Sequence, residues 1–564
     1  MEVEPISPSK FKLSIWSPAR VLRICTIASL VLLLLVGVYY ALQLGEVHFH
    51  GESGHHHTVV LDCGSTGTRV SVYKWEANRS KDSGLPVLVN SYPEFEHSAR
   101  SSTLKRTFAC KYHCFQTEPG LDSFLGNSSG VKLALEPLIR LAERWVPRER
   151  HEETPIFVLA TAGLRRLKGE DARRVLDDVV GVVKEHSFVY RKNWVRVLSG
   201  KEEAYYGWVA LNYRMGRLGN SSIEPTLGLL DLGGSSLQVV TEVDGTDAHR
   251  ADEHLMRSKV GLVEHWILAY SLPSFGLNEA FDRTISMLPV DRTAGDAVKI
   301  KHPCLSSEFD KMNARHQMMK TEHSYVVGDP DWKRCKAVAR AAAINVSSFD
   351  WPTSMMVGSY CKEKFSFNNT GSNIPNLASG SHKTRHFHAL SGFFAVHNIL
   401  KLEARANFTK IWETAGKLCS SQQLSTELSS MFGNKKYGSQ YCFSLPYMVS
   451  LIQDLLCLRD EQIAFGPGDL SWTLGAALVE GEDYHLGQQS STTTREGKED
   501  IGFSRSMDYY IHSPVFVFLL LLFLLIVVYY SQIKLPMLGR KKAAATLSLG
   551  PSLPSYIYPK QRPN

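Results

Sequence analysis

Short apolar runs that end in an acidic residue or a Gly-rich turn and then give way to strict alternation recur through the middle of this 564-residue chain. Residues 59–75, VVLDCGSTGTRVSVYKW, read as a strand, a tight turn and a second strand. Residues 227–243, LGLLDLGGSSLQVVTEV, repeat that order, and their aspartate follows the first by 169 residues. Between the two, residues 132–145 have helical periodicity. Residues 156–167, IFVLATAGLRRL, read as a buried strand running into a helix opening. Residues 195–216 read as a strand, a Gly turn, two glutamates and an aromatic amphipathic helix. Two longer apolar runs, 24–42 and 511–531, can each cross a bilayer as a helix. The polar stretch 481–510 reads as a flexible stem into the second span, and 43–56 as a His-rich stem after the first.

The repeated hairpin has a chemistry of its own. Gly in the turn lets backbone N–H groups approach an anion closely and form a nest for phosphate oxygens. The hydroxyls of Ser65, Thr66, Thr68, Ser235 and Ser236 add donors. Asp62 and Asp231, at the ends of the first strands, would be repelled by a phosphate unless a divalent cation lay between them, held directly or through its waters. Two such hairpins predict a metal and phosphate site between two lobes.

Charge shifts attention to the ends of the chain. The net charge is +7, but the first 23 residues carry +2 and the stretch after Tyr530 carries +6 without an acid. The region between is close to neutral, so overall basicity gives no support to nucleic-acid binding. Basic residues outside both spans predict that residues 1–23 and 532–564 are cytosolic tails and that 43–510 face the lumen or exterior. The first run is long for a signal-peptide core and no small-residue cleavage site follows it, which favours a retained anchor. Six N-x-S/T sequons, at Asn78, Asn127, Asn220, Asn345, Asn368 and Asn407, all fall between the spans and fit glycosylation. Of ten cysteines, eight lie in the middle region beyond the first hairpin, where an oxidising compartment lets several pair; Cys304 with Cys335 and Cys419 with Cys442 are plausible bridges, and Cys361 has no obvious partner.

Taken together and in order, four segments resemble the apyrase family, the nucleoside triphosphate diphosphohydrolases: DCGSTGTR from Asp62, ATAGLR from Ala160, GKEEAYYGW from Gly200 and DLGGSSLQ from Asp231. A weaker fifth match is WTLGAA from Trp472. A span at each end makes the chain most similar to the divergent double-spanning plant apyrases. The resemblance implies an α/β fold of two actin-like lobes, of the actin and sugar-kinase type, around a central cleft. Lobe I would take residues 57–198 and 466–480, and lobe II residues 199–465.

The resemblance also implies roles. Glu203 would be the general base, and Ser236 and Gln238 would hold the attacking water. Asp62 and Asp231 would bind Ca²⁺ or Mg²⁺ through its waters. Ser65, Thr66, Gly67, Thr68, Arg69, Thr161, Ala162, Gly233, Gly234 and Ser235 would clasp phosphates, while Phe393 or Phe394 would offer a ring to stack on the nucleotide's base. Trp472 would be a structural or nucleotide-proximal aromatic, and the Cys419–Cys442 bridge is the one the family most favours. Ala204 stands where the third motif usually has Gly, adding a methyl beside the presumed base. The expected activity is divalent-metal-dependent hydrolysis of the terminal phosphate of nucleoside tri- or diphosphates. The alternative is a catalytically silent nucleotide-binding or scaffold protein of the endomembrane system. Double-spanning relatives point to the Golgi rather than the plasma membrane, with any oligomer formed through the membrane helices.

Overall fold

A turn that returns the chain on itself after an apolar run forces the following alternating stretch to pair with that run. The computed structural model describes residues 55–80, 83–93, 115–219, 224–245, 253–292, 298–307, 324–344, 377, 384–420, 435–493, 522 and 526. Strands β1 (His55–Cys63) and β2 (Thr68–Arg79) pair antiparallel, with Asp62 opposite Arg69 and Cys63 opposite Thr68. Strand β3 (Pro86–Tyr92) extends β2, and the two-residue β4 (Gln116–Thr117) pairs with the start of β2. Helix α1 (Ser128–Trp145) opens at Asn127, whose side chain accepts the Gly130 N–H, and buries Val131, Leu135, Leu138 and Ile139. Next come β5 (Ile156–Ala160), the four-residue α2 (Ala162–Arg165), α3 (Gly169–Val183), β6 (Val195–Val197) and α4 (Gly200–Arg214). Strand β5 runs parallel to β1 and β6 parallel to β5, giving the order β3-β2-β1-β5-β6.

The second lobe repeats this plan. Strands β7 (Gly228–Leu232) and β8 (Ser236–Glu242) form its hairpin, with Asp231 opposite Gln238. Strands β9 (Leu255–Val260) and β10 (Val263–Pro273) continue the sheet outward from β8, and α5 (Leu277–Met287) follows. Strands β11 (Val290–Arg292), β12 (Val298–His302) and β13 (Ser324–Gly328) make a small separate sheet, followed by α6 (Trp332–Ala343). Strand β14 (Phe387–Ser391) lies parallel to β7 and leads into α7 (Gly392–Ile399), α8 (Phe408–Ser420) and α9 (Lys435–Ser450). Strand β15 (Ile463–Phe465), parallel to β14, precedes α10 (Trp472–Thr493). The order β15-β14-β7-β8-β10 matches β6-β5-β1-β2-β3 strand for strand. The repeat legible in sequence as one hairpin is therefore a repeat of five strands.

Helices α4 and α10, each following the last strand of its half, pack on one another. Helix α4 also lies against β7, β8 and β10, and it buries every residue from Ala204 to Asn212. A helix buried on all sides has no polar face to show as amphipathicity, so the expectation of an amphipathic α4 fails for a packing reason. Disulfides Cys304–Cys335 and Cys419–Cys442 tie α6, α8 and α9 into the second-lobe core around Phe393, Phe443 and Tyr447.

Two sequence expectations change here. The stretch expected as a stem from 481 begins as helix, because α10 continues to Thr493 and buries Tyr484 against Trp194 with Arg191 over both rings. The His tract is also shorter than expected as a stem: β1 starts at His55, and His57 is 4% exposed inside the sheet. The first membrane span, all of the second except residues 522 and 526, the basic tails and Cys110, Cys114 and Cys361 lie outside the described residues. Among the described residues no helix is long and apolar enough to cross a membrane.

Candidate active site

The turns of the two hairpins close in the same way. The Gly64 N–H donates to Gly67 O at 3.0 Å, and the Gly233 N–H donates to Ser236 O at 2.9 Å. The hairpins meet through their hydroxyls, with Ser235 Oγ 3.1 Å from Ser65 Oγ. Around this meeting point stand Asp62 and Asp231, both buried, and the Thr161 N–H, which donates to Cys63 O at 3.1 Å and places the second motif beside the first turn. Ser65, Thr66, Gly233 and Gly234 are half-buried and line the cleft, as does Ala162 at the start of α2. Thr68 is different. It is wholly buried as the cross-strand partner of Cys63, so its hydroxyl is withdrawn from the phosphates that the resemblance assigned to it.

The third motif separates its two glutamates. Glu202 sits at the third position of α4 and completes a capping box: its side chain accepts from the Ser199 N–H and hydroxyl, each at 2.8 Å, while its own N–H donates to Ser199 Oγ at 3.2 Å. Arg196 also donates to it at 2.6 Å and ties it to Glu480. Burial works against the Glu202 charge, but the Ser199 donors and Arg196 hold its carboxyl below the usual range. Glu203, one position on and about 100° around the helix, turns into the cleft, where its side chain is 12% exposed and paired with Arg165. Burial pushes the Glu203 carboxyl up to about 7; Arg165 opposes this, and the charges of Asp62 and Asp231 reinforce it. Burial likewise raises Asp231 to about 6, against a hydrogen bond from Ser391 and with the Asp62 charge adding to the rise. Asp62 is raised by burial against Arg69, whose guanidinium lies 3.3 Å from its carboxylate and also donates to Gln116 at 3.0 Å.

In the second hairpin, Gln238 donates to Ser236 Oγ at 2.7 Å and to Ser271 Oγ at 3.2 Å. Gly200 makes this approach possible, since a Cβ there would lie 2.3 Å from Ser271. Glu203, the Ser236 and Gln238 pair and the two aspartates are thus carried on α4, β8 and the ends of β1 and β7. Burial raises all three carboxylates, and the Asp62 charge adds to the rise at Glu203 and Asp231. Asp62 and Asp231, with hydroxyls nearby, offer hard oxygen donors that fit a divalent cation. Among the described residues no three His, Cys, Asp or Glu side chains are grouped to hold an ion directly. Asp62 and Asp231 would therefore share the ion with water and phosphate oxygens.

Other assignments move. Phe393 is wholly buried in the second-lobe core and cannot face a ligand, because α7 turns it inward. Phe394, the next residue, is half-buried and covers the backbone of Gly466 and Gly468. Trp472 is 7% exposed between α4 and α10, which makes it a packing residue. Ala204 belongs to the same core, so its methyl points away from the cleft. Arg165, Ser391, Ser271 and Gln116 were given no role in sequence. Arg165 lay inside a recognised motif, and the strand repeat would have drawn attention to Ser391, but nothing local marked the other two.

The model of the GDA1/CD39 (nucleoside phosphatase) family matches residues 48–493. Probable apyrase 7 of Arabidopsis thaliana is 36% identical over 75% of this chain, although the match spans only 56% of that relative's own length. Ectonucleoside triphosphate diphosphohydrolase 8 of Mus musculus is 25% identical over 74% of this chain and 81% of that one. A solved nucleoside triphosphate hydrolase structure from Neospora caninum covers 80% of this chain and 97% of its own, at 14% identity and a TM-score of 0.48.

Proposed function

Because the chain belongs to the GDA1/CD39 (nucleoside phosphatase) family, we propose that it is an apyrase-type enzyme, hydrolysing the terminal phosphate of nucleoside tri- or diphosphates with the help of a divalent cation. The observation that carries this reading is Glu203: a nearly buried carboxyl raised to about 7, within electrostatic range of both aspartates, on a helix whose first residue packs against Ser271, the partner of Gln238. A group near neutrality can take a proton from water and release it again. Gln238 and Ser236 would hold that water, and Arg165 keeps the base oriented. The turn N–H groups at 65–67 and 234–235, with Arg69 and the hydroxyls of Ser65, Thr66 and Ser235, would bind the phosphoryl oxygens as charge develops on them. The bound cation, Ca²⁺ or Mg²⁺, would neutralise the two aspartates and polarise the transferred phosphoryl group. Phe394 is the ring available to a base, since Phe393 is buried.

Glu203→Gln keeps size and hydrogen bonding but cannot accept a proton, so kcat should fall by roughly 10² to 10⁴ with little change in KM. Glu202→Gln should cost far less in kcat, because Glu202 serves the helix start and Arg196. Phosphate release from purified full-length protein with a panel of nucleotides decides it; equal losses in the two variants would remove Glu203 from its role.

The same reading places residues 43–510 in the Golgi lumen between two membrane spans, with both tails cytosolic. The basic flanks support it, as do two of the described sequons, Asn127 and Asn407, which are exposed at helix starts and accept backbone N–H groups through their side-chain oxygens. Protease added to sealed microsomes should spare the middle region and remove the tails.

A further inference from the structure

Beside the first hairpin lies a carboxylate that the catalytic reading does not use. Asp122, in the short helical turn Leu121–Phe124, packs beneath the loop: a Cβ on Gly163 would lie 2.8 Å from Asp122 Oδ1 and 3.0 Å from Ser65 Cα, and one on Gly120 would meet the Ser65 carbonyl at 2.7 Å. Its Oδ1 is buried without a hydrogen-bond partner. Its other oxygen lies 3.6 Å from Arg166, the residue that ends α2. Arg166 in turn pairs with Glu279 of the second lobe. Glu279 is not a distant surface acid, because the first turn of α5 is bonded to the second hairpin: the Leu277 N–H donates to Gly233 O, and the Asn278 and Glu279 N–H groups donate to Gly234 O, at 2.9 to 3.3 Å. One guanidinium therefore joins the floor of the first phosphate turn to the helix that carries the second.

We infer that Arg166 is a positioning residue that sets the spacing of the two phosphate hairpins by bridging Asp122 and Glu279 across the cleft. The turns are hydrogen-bonded to one another through the Ser65 to Ser235 hydroxyl contact, a neutral bond that a bound phosphate would compete for, with Thr66 packed beside Gly234. An ionic bridge outside the phosphate position keeps the lobes registered when that contact opens. Its neighbour Arg165 holds Glu203, so the bridge adjoins the ion pair of the third motif. This inference rests on the proposed hydrolysis for its kinetic consequence, but its structural consequence can be read without any activity.

Hydrogen exchange on the full-length protein in detergent reads the structural part. Arg166→Met should speed amide exchange about fivefold or more in the distant turn, residues 233–236, and at 277–279. Glu279→Gln should do the same at 64–67 and 120–122, and Arg166→Lys should restore most of the protection. In turnover per folded enzyme, each single variant should lower kcat about tenfold with KM nearly unchanged, and Arg166→Met combined with Glu279→Gln should be no worse than the poorer single. Exchange changes confined to the mutated residue's own lobe would overturn the inference, and so would losses that multiply in the double variant. A parent protein that hydrolyses no nucleotide would sink the functional reading, while the exchange result would still decide this one.

Discussion

The two hairpins share strand register, turn closure and a buried aspartate, but they differ in the residue facing that aspartate. In the first hairpin Asp62 stands opposite Arg69; in the second, Asp231 stands opposite Gln238, the same 169 residues on. On the proposed reading, the cation facing one carboxylate would let the first hairpin grip negative charge, and the neutral amide facing the other would give the second a place for water. Two equivalent scaffolds would then divide charge binding and water positioning through one cross-strand position.

The shared part of the comparison is tested most severely at the aspartates. Asp62→Asn and Asp231→Asn should each lower kcat/KM by roughly 10² to 10³ and raise the concentration of divalent cation needed for activity, since each removes half of the charge that would hold it. Full activity of either variant in EDTA would end the metal reading. The difference between the hairpins is tested next. Arg69→Gln makes the first hairpin resemble the second and removes a charge-assisted contact of about 1.5 to 3 kcal/mol, so kcat/KM should fall roughly 10- to 100-fold, mostly through KM. Gln238→Leu removes a neutral contact and should lower kcat about three- to tenfold with KM unchanged. Comparable losses with the same KM pattern in both would show that the two positions do one job.

A smaller effect comes from burial itself. Asp62, Asp231 and Glu203 all bind protons more tightly folded than unfolded, with Asp231 at about 6 and Glu203 at about 7. The folded state then gains protons relative to the unfolded one, so this contribution to stability is fully present below about pH 4 and is lost as pH rises through 6 to 7. In EDTA the protein should melt several degrees lower at pH 8 than at pH 5.5, and added Mg²⁺ or Ca²⁺ should recover more at pH 8. A gain from cation that is equal at both pH values would show that the buried carboxylates do not hold it.

Much of this was legible along the chain because the signals are local. A period-2 pattern, a Gly turn and an aspartate between them specify a hairpin wherever they occur, and both hairpins formed as written. The Cys304–Cys335 and Cys419–Cys442 pairings also formed. Legibility failed where a neighbour far along the chain decided the outcome. Helix α10 outran the expected stem because Trp194 and Arg191 cover Tyr484. Phe393 and Phe394 are adjacent and chemically identical, and only the packing of α7 put one in the core and left the other half-buried.

By itself the sequence determined the repeated hairpin, the four motifs in order, the two terminal apolar runs and the pair of glutamates, of which the family resemblance already singled out Glu203. Tertiary structure supplied the different surroundings of the two, with Ser199 and Arg196 holding Glu202 while Glu203 pairs with Arg165 and feels the charges of two distant aspartates. It also decided that five strands, not two, are repeated, and that Arg166 spans the lobes to Glu279. The physical reason is range: turn chemistry and alternation act over a few residues, whereas burial, charge coupling and register between strands from different halves exist only once the chain has brought them together.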